Sequence, residues 1–219
     1  VSDAKRVVST APVPGSARVH LERLARLEVN FTPMPWEQAD ADPAWRADRR
    51  RIDLPPEPPG PPVEGGPFAV ARALLWTYEV ADPALVRAVY DAAAPLEGRD
   101  MLLVGRFAGL RFPMGVRVGG VVDGPDVEGD ASVHRFAWHY RTLQGHLERG
   151  QMDYEVVKDV TSGRVSFRMA AYSQRGKIEN PVVRAGFAVF GRPTQLRFYA
   201  RASERMRRLT TERATLGSG

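Results

Sequence analysis

The stretch Phe136–Gly150, FAWHYRTLQGHLERG, decides the reading of this 219-residue chain. Its first half alternates: His134, Phe136, Trp138, Tyr140 and Thr142 share one side of an extended strand, and Arg135, Ala137, His139 and Arg141 share the other. A row carrying three large aromatics has to face a core. His134 and His139 therefore point apart and cannot hold a metal together. With no cysteine in the chain and no matching carboxylate spacing, no metal site is expected. His139, flanked by Arg135 and Arg141, reads as a surface residue. His146 follows Gly145 in a polar turn just beyond the aromatic row, where a rigid scaffold presents side chains to a cavity mouth. An imidazole with an ordinary pKa near ~6.5 can serve there as general acid or base. Its ring could equally hold the turn together by bonding to backbone. Glu148 is placed to orient His146 or to cap the turn, and the pair are the candidate catalytic residues.

Outward from this strand, Met101–Phe107, Phe112–Val122, Met152–Val160 and Val165–Tyr172 show the same period of two, and Thr161-Ser162-Gly163 suits a hairpin. These five segments predict an antiparallel meander. Asp153 and Glu155 fall on its solvent side. Upstream, Phe68–Tyr78 is apolar and reads as ending in a strand. Asp82-Pro83 pairs a capping carboxylate with a first-turn proline, which predicts a helix to about Ala93 with a stripe of Leu85, Val86, Val89 and Tyr90. Asn180-Pro181 repeats that signal and opens a long terminal helix, with a kink or break expected at Gly191-Arg192-Pro193. Leu196, Tyr199, Met206 and Leu209 are its sheet-covering face; Arg197, Arg201, Arg205 and Arg208 form a solvated stripe.

The N-terminal part is different. Residues 1–15 read as a loose terminus, and Ser16 caps a short helix through Arg26 with Leu21, Leu24 and Leu27 on one side. From Pro33 to Pro67 the chain is expected to be irregular. Its run LPPEPPGPPVEGGP, with seven prolines and three glycines, is an extended connector or surface strap. The expected division is 1–66, an extension with a short helix and Pro-rich connector; 67–213, an α+β pocket domain; and 214–219, a flexible tail.

Composition narrows the function classes. The net charge of +5 suggests nucleic acid, but the 31 basic residues include only three lysines, Lys5, Lys158 and Lys177. Such a bias reflects a GC-rich, bacterial genome more than a phosphate-binding surface, so no nucleic-acid partner is expected. No signal peptide or membrane-length apolar run is visible, and a cytoplasmic protein is expected. Gly-x-Gly-x-x-Gly, Walker, Gly-x-Ser-x-Gly and His-Glu-x-x-His motifs are all absent, and no cofactor is expected.

The segment FAWHYRTLQGHLERG, the later VSFRMAAYS and the helix running through RRL resemble the uncharacterised protein family 0548, a domain of unknown function. Thr142, Leu143, Gly145, His146, Glu148 and Gly150 match its motif, while Gln144 stands for the usual proline and Gln151 for the usual glutamate. The resemblance covers roughly Phe68 to Leu209. It implies a fold similar to helix-grip, lipid-transfer-like domains: a curved antiparallel sheet wrapped around a long C-terminal helix, with an internal hydrophobic cavity.

Together these readings predict an α+β helix-grip-like protein that binds a small, largely apolar molecule. Trp76, Tyr78, Phe112, Phe136, Trp138, Tyr140, Thr142, Phe167 and Met169 are the candidate ligand-binding residues. As an enzyme it would be a cofactor-independent cyclase, isomerase or dehydratase tailoring a secondary metabolite such as a polyketide. The alternative is a non-catalytic carrier or sensor of a hydrophobic ligand.

Overall fold

A computed structural model describes residues 15–107, 110–176 and 181–216, without the side chains at the ends of these spans and along 181–190. The expected loose terminus at residues 1–14, the Asn180 cap, and residues 217–219 of the expected tail lie outside them. Helices α1 (Gly15–Leu24) and α2 (Trp36–Ala41) precede strand β1 (Arg46–Leu54) and helix α3 (Pro67–Trp76). Six strands follow: β2 (Val86–Tyr90), β3 (Asp100–Phe107), β4 (Leu110–Glu128), β5 (Ala131–Thr142), β6 (Glu148–Asp159) and β7 (Val165–Arg175). Helix α4 (Pro181–Leu216) closes the chain. The seven strands make one open antiparallel sheet in the order β1-β7-β6-β5-β4-β3-β2. In β4 the register shifts between Val118 and Val121, at Gly119-Gly120, a bulge that bends the long strand.

Alternation sets the two faces. Met101 and Leu103, Val116 and Val118, Phe136 and Trp138, Met152, Tyr154 and Val156, and Phe167 and Met169 line the inner face. They pack against Phe68, Leu74 and Leu75 of α3 and Tyr199, Ala202, Met206 and Leu209 of α4. On the outer face, Leu24 of α1 packs on Leu102 and Leu143, flanked by Leu21 and Leu27. The expected helix-grip arrangement is thus present, with α3 lying over the sheet between β6 and α4.

Several local expectations are corrected. Phe68–Tyr78 forms α3, not a strand. An apolar run does not reveal its own period when buried on most sides, and here Pro67 at the first turn, Ala71, Ala73, Leu74 and Leu75 favour the helix. The helix expected from Pro83 to Ala93 is a single turn followed by β2. Asp82 Oδ1 accepts from the Ala84 N–H at 2.9 Å, and Val86, Ala88 and Tyr90 then face inward while Val89 packs outward. Pairing with β3 and the β-branched valines select the strand. Pro33–Pro67 is not irregular throughout, because it contains α2 and the edge strand β1. Arg46–Leu54, N-terminal to residue 67, is therefore part of the sheet rather than of an extension beside it. Helix α4 runs unbroken through Pro193 and reaches Leu216, into the expected tail. Leu196 is exposed, and Ala202 takes its expected place on the buried face.

The proline-rich strap is pinned by one buried ion pair. Lys158 Nζ donates to Glu57 Oε2 at 2.7 Å and to the Pro61 carbonyl at 2.8 Å, with the two side chains 0% and 1% exposed. Glu57 Oε1 accepts from the Phe68 N–H at 2.7 Å and Oε2 from the Val63 N–H at 3.1 Å. A carboxylate distant in sequence thus caps the first turn of α3, which has no capping side chain of its own. Gly163, at φ 71°, meets this strap so closely that a Cβ there would lie 1.9 Å from the Glu57 carbonyl oxygen. The φ suits glycine, and the clash admits nothing larger.

Candidate functional site

On β5 and its neighbour the inner row gathers a polar group inside an apolar core. Trp138 and Tyr140 are two residues apart on β5, and Tyr154 of β6 is paired directly with Trp138. Tyr78 reaches them from the end of α3. It adopts φ 58°, the left-handed position that commonly ends a helix and favours glycine, and its N–H donates to the Leu75 carbonyl at 3.1 Å. That conformation turns the chain after Trp76 and leaves the Tyr78 phenol 5% exposed, its oxygen 3.3 Å from that of Tyr154. The four rings stand 5.0 to 6.5 Å apart between centroids. The Tyr140 ring lies 6.5 Å from that of Tyr78 and 6.0 Å from that of Tyr154. Burial pushes all three hydroxyls above the usual tyrosine range, so they are neutral donors. The Trp138 Nε1 is buried and, among the described residues, has no hydrogen-bond partner.

A second polar group follows along the same face towards the open end of β1, β6 and β7. Asp48 of β1 takes a bidentate pair from Arg192 of α4, at 2.5 and 2.6 Å. Arg192 also donates to Gln195 Oε1 at 2.7 Å. Glu148, at the start of β6, is on the inner row with Gly150, Met152 and Tyr154. Burial raises its carboxyl from 4.5 to about 7, against the opposing pull of Arg46 and Arg192. Tyr199 of α4 connects the two groups: burial raises its phenol, Asp48 and Glu148 add to this, and Tyr199 in turn acts on Tyr140. Tyr140 and Glu148 are only half-buried by accessible area, yet burial is the largest influence on the titration of both.

The predicted site residues divide accordingly. Tyr78, Trp138 and Tyr140 come together, and Phe136, Phe167 and Met169 belong to the same inner core. Trp76 sits at its margin, 37% exposed, stacked on Phe136 at 6.1 Å with the Arg72 guanidinium over both rings. Phe112 is half-buried on the inner row of β4 but outside this cluster. Thr142 has its hydroxyl occupied, 2.7 Å from Asn30 Oδ1 and accepting from the Gly150 N–H at 2.9 Å. His146 is buried, and its Nδ1 accepts from the Glu148 N–H at 2.9 Å with the Glu148 carbonyl at 3.0 Å. Burial, partly offset by that carbonyl, lowers its pKa to about 4. The ring is a neutral clasp of the turn, and Glu148 turns its carboxyl to the inner face while its backbone holds His146.

The outer face differs from expectation. His139 is not a surface residue: its Nε2 is buried over Gly119 without a partner among the described residues, and burial followed by Arg141 lowers its pKa to about 4. Asp153 is also covered. Burial raises it to about 6, while Gln151, which donates to it at 2.9 Å, and Arg141 counteract. Glu155 pairs with Arg135 and Arg168.

Sequence reasoning missed Asp48, Tyr154, Arg192 and Tyr199 as members of the inner polar groups. Tyr154 was legible as the cross-strand partner of the aromatic row. Asp48 was hidden because RADRRR (46–51) was read as irregular. Among the described residues no group of three or more His, Cys, Asp or Glu side chains is placed to hold a metal. No described helix is long and apolar enough to cross a membrane.

By sequence, the family described as a domain of unknown function, DUF1990, matches residues 28–205. The match takes in α2 and β1 as well as all but the last four residues of the Phe68–Leu209 region that carries the sequence resemblance. No curated protein matches the chain. Similar solved structures include ginseng major latex-like protein 151 from Panax ginseng, at 10% identity and TM-score 0.42, covering 78% of this chain and 98% of that one. A hypothetical protein from Helicobacter pylori has 10% identity and TM-score 0.43, covering 84% and 99%. Norcoclaurine synthase from Thalictrum flavum, a point mutant in complex with a transition-state analogue, has 8% identity and TM-score 0.40, covering 77% and 95%.

Proposed function

We propose, from the premise that this chain belongs to the DUF1990 family, that it binds a small, largely apolar molecule in a recess between the inner face of its sheet and α4. The carrying observation is that Tyr140 and Glu148 keep accessible surface in surroundings that strongly desolvate them. An apolar wall from Phe136, Trp138, Phe167 and Met169 supports burial of a hydrocarbon body, with polar groups placed along one line to orient it.

In this reading the chemistry is a cofactor-independent isomerisation or cyclisation in which Glu148 moves a proton. A carboxyl with a pKa of about 7 is present in both forms at neutral pH and can both take and return a proton. The role expected for His146 passes to Glu148, because the His146 Nδ1 is engaged by backbone and its ring stays neutral. The test is native mass spectrometry of the purified full chain, followed by incubation of any co-purifying molecule with wild type and Glu148→Gln. Conversion by wild type that falls ~100-fold or more in the variant, with binding retained, is expected. A molecule bound and never converted makes the protein a carrier. Absence of any apolar ligand across a hydrophobic compound panel overturns the binding reading.

A further inference from the structure

We propose that Tyr78, Tyr140, Tyr154 and the Trp138 indole N–H form a binding niche for a carbonyl oxygen, so that the molecule bound at the inner face is an apolar ketone or related carbonyl compound. The inference rests on the binding reading above and adds the chemical class of the ligand.

Tyr78 and Tyr154 share one hydrogen bond, which uses only one of their two O–H groups as donor. The indole can only donate, and its N–H is buried without a partner among the described residues, a costly arrangement that an added acceptor relieves. Beyond that one bond the group offers phenol O–H and indole N–H donors, and it contains no carboxylate. An added oxygen with two lone pairs and no proton takes the indole N–H and one phenol O–H together. A cation finds no counter-charge within the group.

The backbone supports the same reading. Tyr78 holds a left-handed φ of 58° where glycine is the usual residue, so a phenol is placed at a position whose conformation disfavours side chains. Trp138 and Tyr154 are paired across β5 and β6, so two members of the group are fixed by the ladder itself. Mid-strand positions hold donors more rigidly than loops do.

The test uses two probes of nearly equal shape, 2-acetylnaphthalene labelled with carbon-13 at the carbonyl and 2-ethylnaphthalene. Binding to the full chain is measured by calorimetry and the carbonyl stretch by infrared difference spectroscopy. The expected result is a stretch lowered on binding. Tyr154→Phe is expected to weaken the ketone about tenfold and to reverse the shift, with 2-ethylnaphthalene affinity unchanged within about threefold. Tyr140→Phe, which removes a single oxygen from the half-buried member, gives the same answer if Tyr154→Phe fails to fold. If wild type binds both probes with no lowering of the stretch, or if the variants weaken both probes alike, the carbonyl niche is overturned and apolar binding stands. If wild type binds neither probe, the apolar-binding reading falls and this inference with it.

Discussion

Replacing Glu57 by alanine tests how α3 is held over the inner face. Glu57 and Lys158 are 101 residues apart, both essentially inaccessible, and bonded at 2.7 Å. Removing the carboxylate strands a buried ammonium with only the Pro61 carbonyl, and breaking a buried pair in this way costs about 3–5 kcal/mol. The Phe68 N–H at the start of α3 also loses its acceptor, at about 1 kcal/mol for a lost cap. The expected loss is about 4–6 kcal/mol, a large part of the ~5–15 kcal/mol that holds a domain of this size together. Lys158→Met alone leaves a buried carboxylate that still accepts two N–H bonds, and is expected to cost less, about 3 kcal/mol. The double change Glu57→Ala with Lys158→Met removes both charges and should be more stable than Glu57→Ala alone by at least ~1 kcal/mol. Urea unfolding followed by far-ultraviolet circular dichroism and tryptophan emission gives the four free energies of the cycle. A Glu57→Ala loss below ~1 kcal/mol, or strictly additive losses in the double variant, would refute the buried-pair account.

Two further outcomes follow from the turn after β5. Glu148 is raised from 4.5 to about 7, so the folded chain holds this proton more tightly than the unfolded chain. The associated stability is complete below about pH 4.5 and is lost as pH rises through about 7. Relative to Glu148→Gln, wild type should lose up to about 3 kcal/mol over that interval, and a flat difference between the two unfolding series contradicts the assignment. His146, lowered to about 4, should remain neutral at pH 5.5 in nitrogen-15 correlation spectra, with Nδ1 showing the shift of an unprotonated acceptor. A charged ring at that pH would return His146 to candidacy as the acid or base.

Some of this site was legible in the chain and some was not. The alternation of Phe136, Trp138 and Tyr140 placed the aromatic row on the inner face, and the later strands followed by the same period. His146 was located correctly as a turn residue. Its rank as the leading catalytic candidate depended on a free nitrogen, and the backbone N–H two residues on occupies that nitrogen. Phe68–Tyr78 and Pro83–Ala93 exchanged helix and strand. A short apolar run suits either conformation until its neighbours are known, and β3 and Glu57 are the neighbours that decide here. His139 and Asp153 were read as solvent-facing on alternation alone. Alternation tells which side of a sheet a residue takes, whereas the covering of that side depends on other segments.

By itself, then, the sequence determined the local periods of the central strands β3 to β7, which row is aromatic, and the long terminal helix. The tertiary structure decided the partners. Asp48 meets Arg192 across 144 residues, Lys158 meets Glu57 across 101, and Tyr78 meets Tyr154 across 76. Periodicity is a property of neighbouring residues, set by backbone geometry within a few positions. A buried charge or phenol, by contrast, takes its energy and its pKa from whatever the packed chain brings within hydrogen-bonding distance. For this reason the aromatic wall and Glu148 could be read directly from Phe136–Gly150, and the raised pKa that gives Glu148 the proposed role became visible only when burial, β1 and α4 were set around it.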